Sequence, residues 1–298
     1  MLAPPTTLTQ LEQAIWRTVA YVDLFDYPLT AVEIHRYLEG VQATQTDVAK
    51  SLAESPALLA NLSQAGGYFF LPERARVVQI RQSRQKRAQT VWPQAIRYGR
   101  FIAQLPFVRM VAVTGSLAMN NVTDDADIDY FIVTENGRLW LSRAFIIGLV
   151  RLAAWQGLTL CPNYFVTESA LTLPERNIYT AREIVQMAPL FGQAVYQQFR
   201  QQNGWTNQFL PNGVGTPAVY LGTVEPRQWP QQIAERPLQT RLGEWLERWE
   251  RQRKIAKLRH QKNGSNESNF STTICKGHFN AHQKQILTAY QKQLTNGH

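Results

Sequence analysis

Apolar residues at Leu11, Ile15, Val19 and Val22 recur at three- and four-residue intervals and predict a helix over 9–24. Thr9 with Glu12 three positions on forms a capping box that fixes its start. Pro28 interrupts the chain, and Thr30 with Glu33 opens a second, short helix over 30–38; a third fits 46–54. Gly66-Gly67 then leads into Tyr68-Phe69-Phe70-Leu71, a strand pattern, with a second strand expected near Val77 to Ile80. Three helices followed by a two-stranded ribbon make a winged helix-turn-helix pattern for residues 1–80. A basic linker helix is expected over 81–105.

From Phe107 the periodicity changes. Val108 to Val113 is a continuous apolar strand ending at Thr114-Gly115-Ser116, and a short helical stretch, Leu117 to Asn120, follows. Asp127-Ile128-Asp129 then runs into the apolar strand Tyr130 to Val133. A helix over 139–158, a strand over 160–166 and a helix from Thr180, with a capping box to Glu183, complete an α/β unit over 106–202. Residues 203–298 read as an irregular and basic helical C-terminal region. It holds an Arg-rich helix over 242–259 with Trp245, Leu246 and Trp249 on or near one stripe, and a last helix over 281–294. The fold class expected is therefore α/β (α+β), a mixed sheet with helices.

Charge sharpens this picture. The net charge of +9 is unevenly spread: residues 71–110 carry nine basic residues against Glu73 alone, whereas 111–190 are net acidic. Basic segments 74–109 and 248–262 are candidates for RNA or DNA contact, because clustered Lys and Arg attract phosphate. The third helix of the winged-helix pattern carries Asp47 and Glu54 beside Lys50, which disfavours insertion into DNA and favours packing against the second domain or a protein partner. Two cysteines, Cys161 and Cys275, make neither a disulfide scaffold nor a zinc pair, and point to a cytoplasmic protein. MLAPPTTLTQLEQ lacks the basic start and apolar run of a secretory leader, and the 139–158 helix contains Arg143 and Arg151, so no membrane association is expected. His278 and His282 are four apart, the spacing of helical zinc ligands, with no third ligand near.

The chemistry sits between 115 and 129. Gly115 permits a tight turn and close approach of a phosphate, and Ser116 stands at a helix start, where free amides favour an anion. Asp127 and Asp129, two apart at a strand start, share one side; paired carboxylates of this kind invite Mg²⁺ or Mn²⁺. Gly115-Ser116, ten residues, then Asp127-Ile128-Asp129 resembles the signature of the DNA polymerase β-type nucleotidyltransferase superfamily. The segments DLFDYPLT, VTGSLAMNN, DIDYFIVT, CPNYFVTE and NIYTAREI are together similar to prokaryotic nucleotidyltransferase-domain proteins with an N-terminal winged helix, over roughly residues 15–200.

That resemblance implies a nucleotidyltransferase-type mixed sheet and metal-dependent transfer of a nucleoside monophosphate from an NTP to an acceptor. Gly115 and Ser116 would hold phosphate, and Asp127 and Asp129 would hold metal. Arg182, on the first turn of a helix, is a further phosphate candidate. Members of the superfamily bring a third carboxylate from a later strand, and here that place falls to Asn163, an amide that accepts no proton, with Glu168 beyond the strand as the other candidate. The competing expectation is a catalytically silent module of the same fold that binds nucleotide or nucleic acid.

Overall fold

A computed structural model describes residues 8–125, 127–155, 159–215, 217, 229–260, 270–277 and 282–295. His278 and the side chain of His282 lie outside them, as do 261 and 262 of the second basic segment. The N-terminal unit comprises α1 (Gln10–Asp23), α2 (Ala31–Arg36), α3 (Gln45–Glu54), α4 (Pro56–Asn61) and an antiparallel ribbon of β1 (Ser63–Ala65) and β2 (Tyr68–Phe70). The capping boxes at Thr9/Glu12 and Thr30/Glu33 both form. The ribbon differs from expectation: it folds about Gly66-Gly67. Residues 77–80 belong instead to α5 (Arg76–Ala103), where Val77 and Val78 pack under Phe70.

The remaining chain runs β3 (Val108–Val113), α6 (Gly115–Ala118), β4 (Ile128–Thr134), α7 (Leu139–Ala154), β5 (Leu160–Thr167), α8 (Ile178–Gln186), β6 (Ala188–Phe191), α9 (Gln193–Gln202), α10 (Trp229–Leu238), α11 (Arg241–His260), β7 (Ile274–Lys276) and α12 (His282–Thr295). The protein is thus a mixed α/β structure around a five-stranded sheet of order β6-β3-β4-β5-β7. The β4–β5 pair is parallel and is joined through α7, while the other neighbours are antiparallel. The C-terminal region therefore contributes an edge strand to the sheet as well as helices.

Strand alternation divides the core in two. Met110, Ala112, Phe131 and Val133 face the N-terminal unit, α8 and α9. Val111, Val113, Tyr130 and Ile132 face α5 and α7. Ile128 joins the second set, so Asp129 points the other way, with Phe131, toward α8 and α1.

Much of the first basic segment is used internally. Arg74 bonds Asp23 and Asp26 at 3.1 and 2.6 Å, and Arg84 meets Asp26, the Phe25 carbonyl and Asn121. Arg81, 6% exposed, pairs with Glu33 at 2.7 Å, donates to the Pro28 carbonyl and lies over the rings of Tyr27 and Tyr68. Arg87 pairs with Asp124, and Arg109 with Glu135 and Glu235. These arginines tie the N-terminal unit and the turn after Ser116 to α5 and its lead-in, and α10 to β3. No helix among the described residues is long and apolar enough to cross a membrane.

Candidate functional site

Antiparallel pairing of β3 with β4 brings the end of one strand beside the start of the other, so Gly115 meets Asp129. The Thr114 amide donates to the Asp129 carbonyl at 3.0 Å. Gly115 has φ of +64°, and a Cβ there would overlap the Asp129 carboxylate, so the turn demands glycine on both counts. Ser116 is half-buried, and its carbonyl accepts the Asn121 amide at 2.8 Å. The following turn is held by the N-terminal unit and α5: Tyr27 Oη donates to the Met119 carbonyl at 2.6 Å, and Trp92 Nε1 of α5 donates to Asn120 Oδ1 at 2.7 Å.

Asn163 occupies an irregularity in the parallel ladder, where Tyr130 pairs with Pro162 and Phe131 with Tyr164, leaving Asn163 unmatched. The bulge turns its side chain toward Asp129, and Asn163 Nδ2 donates to Asp129 Oδ1. Cys161 Sγ donates in turn to Asn163 Oδ1. Burial, with the charges of Asp129 and Asp127, pushes the Cys161 thiol up to about 12, so it is no nucleophile at neutral pH.

Sequence reasoning missed Glu183. The Thr180/Glu183 capping box does not form: α8 begins two residues earlier, and Asn177 caps it by accepting the Thr180 amide. Glu183 instead sits beside the backbone N–H of Gly115 and accepts a 2.6 Å bond from Gln186 Nε2. Burial raises its carboxyl to about 7 against the pull of those two N–H groups. Asp129 is likewise raised to about 7, by burial first, then by the charges of Glu183 and Asp127, with the Asn163 amide opposing. Glu183 acts on Asp129 more strongly than Asp127 does. The only sequence signal for it is its position among buried Ile178, Ala181, Ile184 and Val185 on an amphipathic helix.

These groups line one end of a cavity of about 370 Å³. Its other walls are largely aromatic and apolar: Tyr21 from α1, Phe25 and Tyr27 from the segment after it, Phe131 and Tyr164 from the sheet. The volume falls within the range of small-molecule pockets. Arg182 is on the cavity wall but is not solvent-facing; at 4% exposure it stacks 4.1 Å over the Tyr21 ring and leans on the Tyr37 carbonyl. Glu168 is not brought to the site. It follows β5 at the end opposite Cys161, the partner of Asp129, on the order of 20 Å away along an extended strand. Its electrostatic neighbours are Arg109 and Glu135.

Asp129 and Glu183 are the carboxylates beside Gly115, and the charge of Asp127 reaches Asp129. Among the described residues, no three His, Cys, Asp or Glu side chains are gathered tightly enough to form a ready metal-binding group. Fold and site define a mixed α/β protein with an enclosed cavity, acidic at one end and aromatic along its walls. Comparison of the chain with protein-family models, curated proteins and solved structures finds no match.

Proposed function

We propose that this chain is a metal-dependent nucleotidyltransferase, moving a nucleoside monophosphate from an NTP to an acceptor, on an N-terminal winged helix that serves as a wall of the site. The observation that carries this reading is the convergence of Glu183 and Asp129 on the Gly115 turn, with the charge of Asp127 acting on Asp129. Glu183 takes the role of third carboxylate that Asn163 cannot fill, and it comes from a helix rather than a strand. Two half-buried carboxylates held near 7 by desolvation, one of them also by the other's charge, fit a hard divalent cation, whose charge would relieve both. Mg²⁺ or Mn²⁺ held by Asp127 and Asp129 would supply charge stabilisation of the phosphates. Glu183, titrating near neutral pH, is suited to take a proton from an acceptor hydroxyl. Asn163 orients Asp129, and the aromatic walls exclude water from the reacting end.

A specific observation favours a second reading, a silent module of the same fold. The Glu183 carboxylate lies beside the Gly115 amide that a phosphate would use, and Asp129 is taken by Asn163. Calorimetry with the four NTPs, with and without Mg²⁺, separates the readings when Asp127→Asn/Asp129→Asn is the control and pyrophosphate release is followed in parallel. The enzyme reading expects binding that needs metal and both aspartates, with pyrophosphate release lost in Glu183→Gln. Binding without release would favour the silent module; no NTP binding with or without Mg²⁺ removes the enzyme reading and the nucleotide-binding form of the silent module.

A further inference from the structure

We propose that the hairpin of α10 and α11 is a docking face for an anionic bilayer surface. An ordinary surface helix turns its apolar stripe inward and its charges outward. This hairpin reverses the arrangement. Three of its four carboxylates point into the protein: Glu235 accepts the Phe107 amide at 2.6 Å and pairs with Arg109, and Glu247 accepts the Trp140 and Leu141 amides at 3.0 and 2.7 Å, capping α7. Glu250, 3% exposed, pairs with Arg253.

The outward face carries the large side chains. Trp229 and Ile233, one turn apart on α10, and Leu242, Trp245 and Trp249, at three- and four-residue spacing on α11, are 49–58% exposed. Trp245 and Trp249 stack with centroids 6.4 Å apart and rings within 17° of parallel. Arg236, Arg241 and Arg248 are exposed among them, and Glu244 is the one acid on this side. Apolar surface of this extent on a soluble face marks an interaction site.

The mixture selects the partner. Guanidinium groups suit any phosphate surface, but Ile233 and Leu242 gain nothing from stacked bases, whereas they and the indoles partition into the boundary between headgroups and acyl chains. Reversible membrane docking needs both apolar insertion and basic charge, and the hairpin presents both. The expectation of no membrane association rested on the lack of a spanning segment, and a helix pair lying on the surface needs none.

Vesicle flotation with the full chain tests this, using phosphatidylcholine vesicles and vesicles with about one-third phosphatidylglycerol, the anionic lipid supplying the surface potential. Flotation with the anionic vesicles alone is expected, falling with added salt. Arg241→Gln/Arg248→Gln should weaken it about 25-fold, roughly five-fold per arginine. Trp245→Ser/Trp249→Ser should abolish it without moving the thermal midpoint, since both rings are half-exposed. Unchanged flotation in both variants, or no flotation at all, overturns the proposal. So does binding of a mixed-sequence single-stranded oligonucleotide without vesicle binding, and so does self-association, lost in the tryptophan variant, by a chain that ignores vesicles.

Discussion

The carboxylate of Glu183 lies beside the backbone N–H of Gly115, so helix α8 closes on the same turn that Asp129 packs against. Gly115 is thereby flanked from two sides, by one carboxylate near its amide and by another where its side chain would be.

Gly115→Ala should be disproportionately damaging for a single methyl. The positive φ alone costs a non-glycine residue about 1–2 kcal/mol, and the new Cβ must also displace Asp129. Urea denaturation should show a loss of at least that size, and stability equal to wild type would mean the turn is not as described.

The pH dependence of stability should run opposite to that of a salt-bridged acid. Asp129 and Glu183 titrate near 7 in the folded chain and near 4 when unfolded, so between those values the folded state binds more protons. Stability should therefore fall as pH rises from about 4 to 7, by up to about 1.4 kcal/mol per pH unit for each group. Thermal melts at pH 5 and 8 should place the higher midpoint at pH 5, and Asp129→Asn should flatten the difference. If a cation sits between the carboxylates, Mg²⁺ should raise the pH 8 midpoint of the wild type more than that of Asp129→Asn.

Arg81→Met removes one partner of a buried pair. Glu33 would remain largely enclosed without its counter-charge, at a cost of about 3–5 kcal/mol. Arg81→Lys should not restore it, since one ammonium cannot reach both Glu33 and the Pro28 carbonyl in the fork geometry of the guanidinium. Full rescue by lysine in chemical denaturation would show that charge alone is sufficient.

Glu247→Ala uncaps a helix on a different element. The Trp140 and Leu141 amides lose their acceptor, costing about 1–3 kcal/mol. Hydrogen exchange should rise first at those two amides; protection unchanged there would place the cap elsewhere.

Local signals read correctly from the sequence. Thr9/Glu12 and Thr30/Glu33 need only a helix to form around them, and the alternation that places Asp129 opposite Ile128 is a property of any strand. The errors came where identical local patterns serve different partners. Thr180 and Glu183 have capping-box spacing, but Asn177 is a better cap and frees Glu183 for Gly115, 68 residues away in sequence. Val77, Val78 and Ile80 suit a strand or a helix, and continuation into the long helix α5 decides the matter. The strand Ile274–Lys276 is too short to announce itself and exists because β5 offers an open edge. Tyr21 reads as an ordinary member of an amphipathic helix until α1 is laid over the cavity.

The bonds from Tyr27 to the Met119 carbonyl and from Asn121 to the Phe25 carbonyl join the N-terminal unit to the turn after Ser116. A chain cut ahead of α5 would therefore lose more than an appended module: the cavity would open to solvent on its aromatic side, and Arg81 and Arg84 would face outward without their carboxylates. The N-terminal unit is not exchangeable cargo. Changes in it are inherited by the site, and the two should melt in one transition.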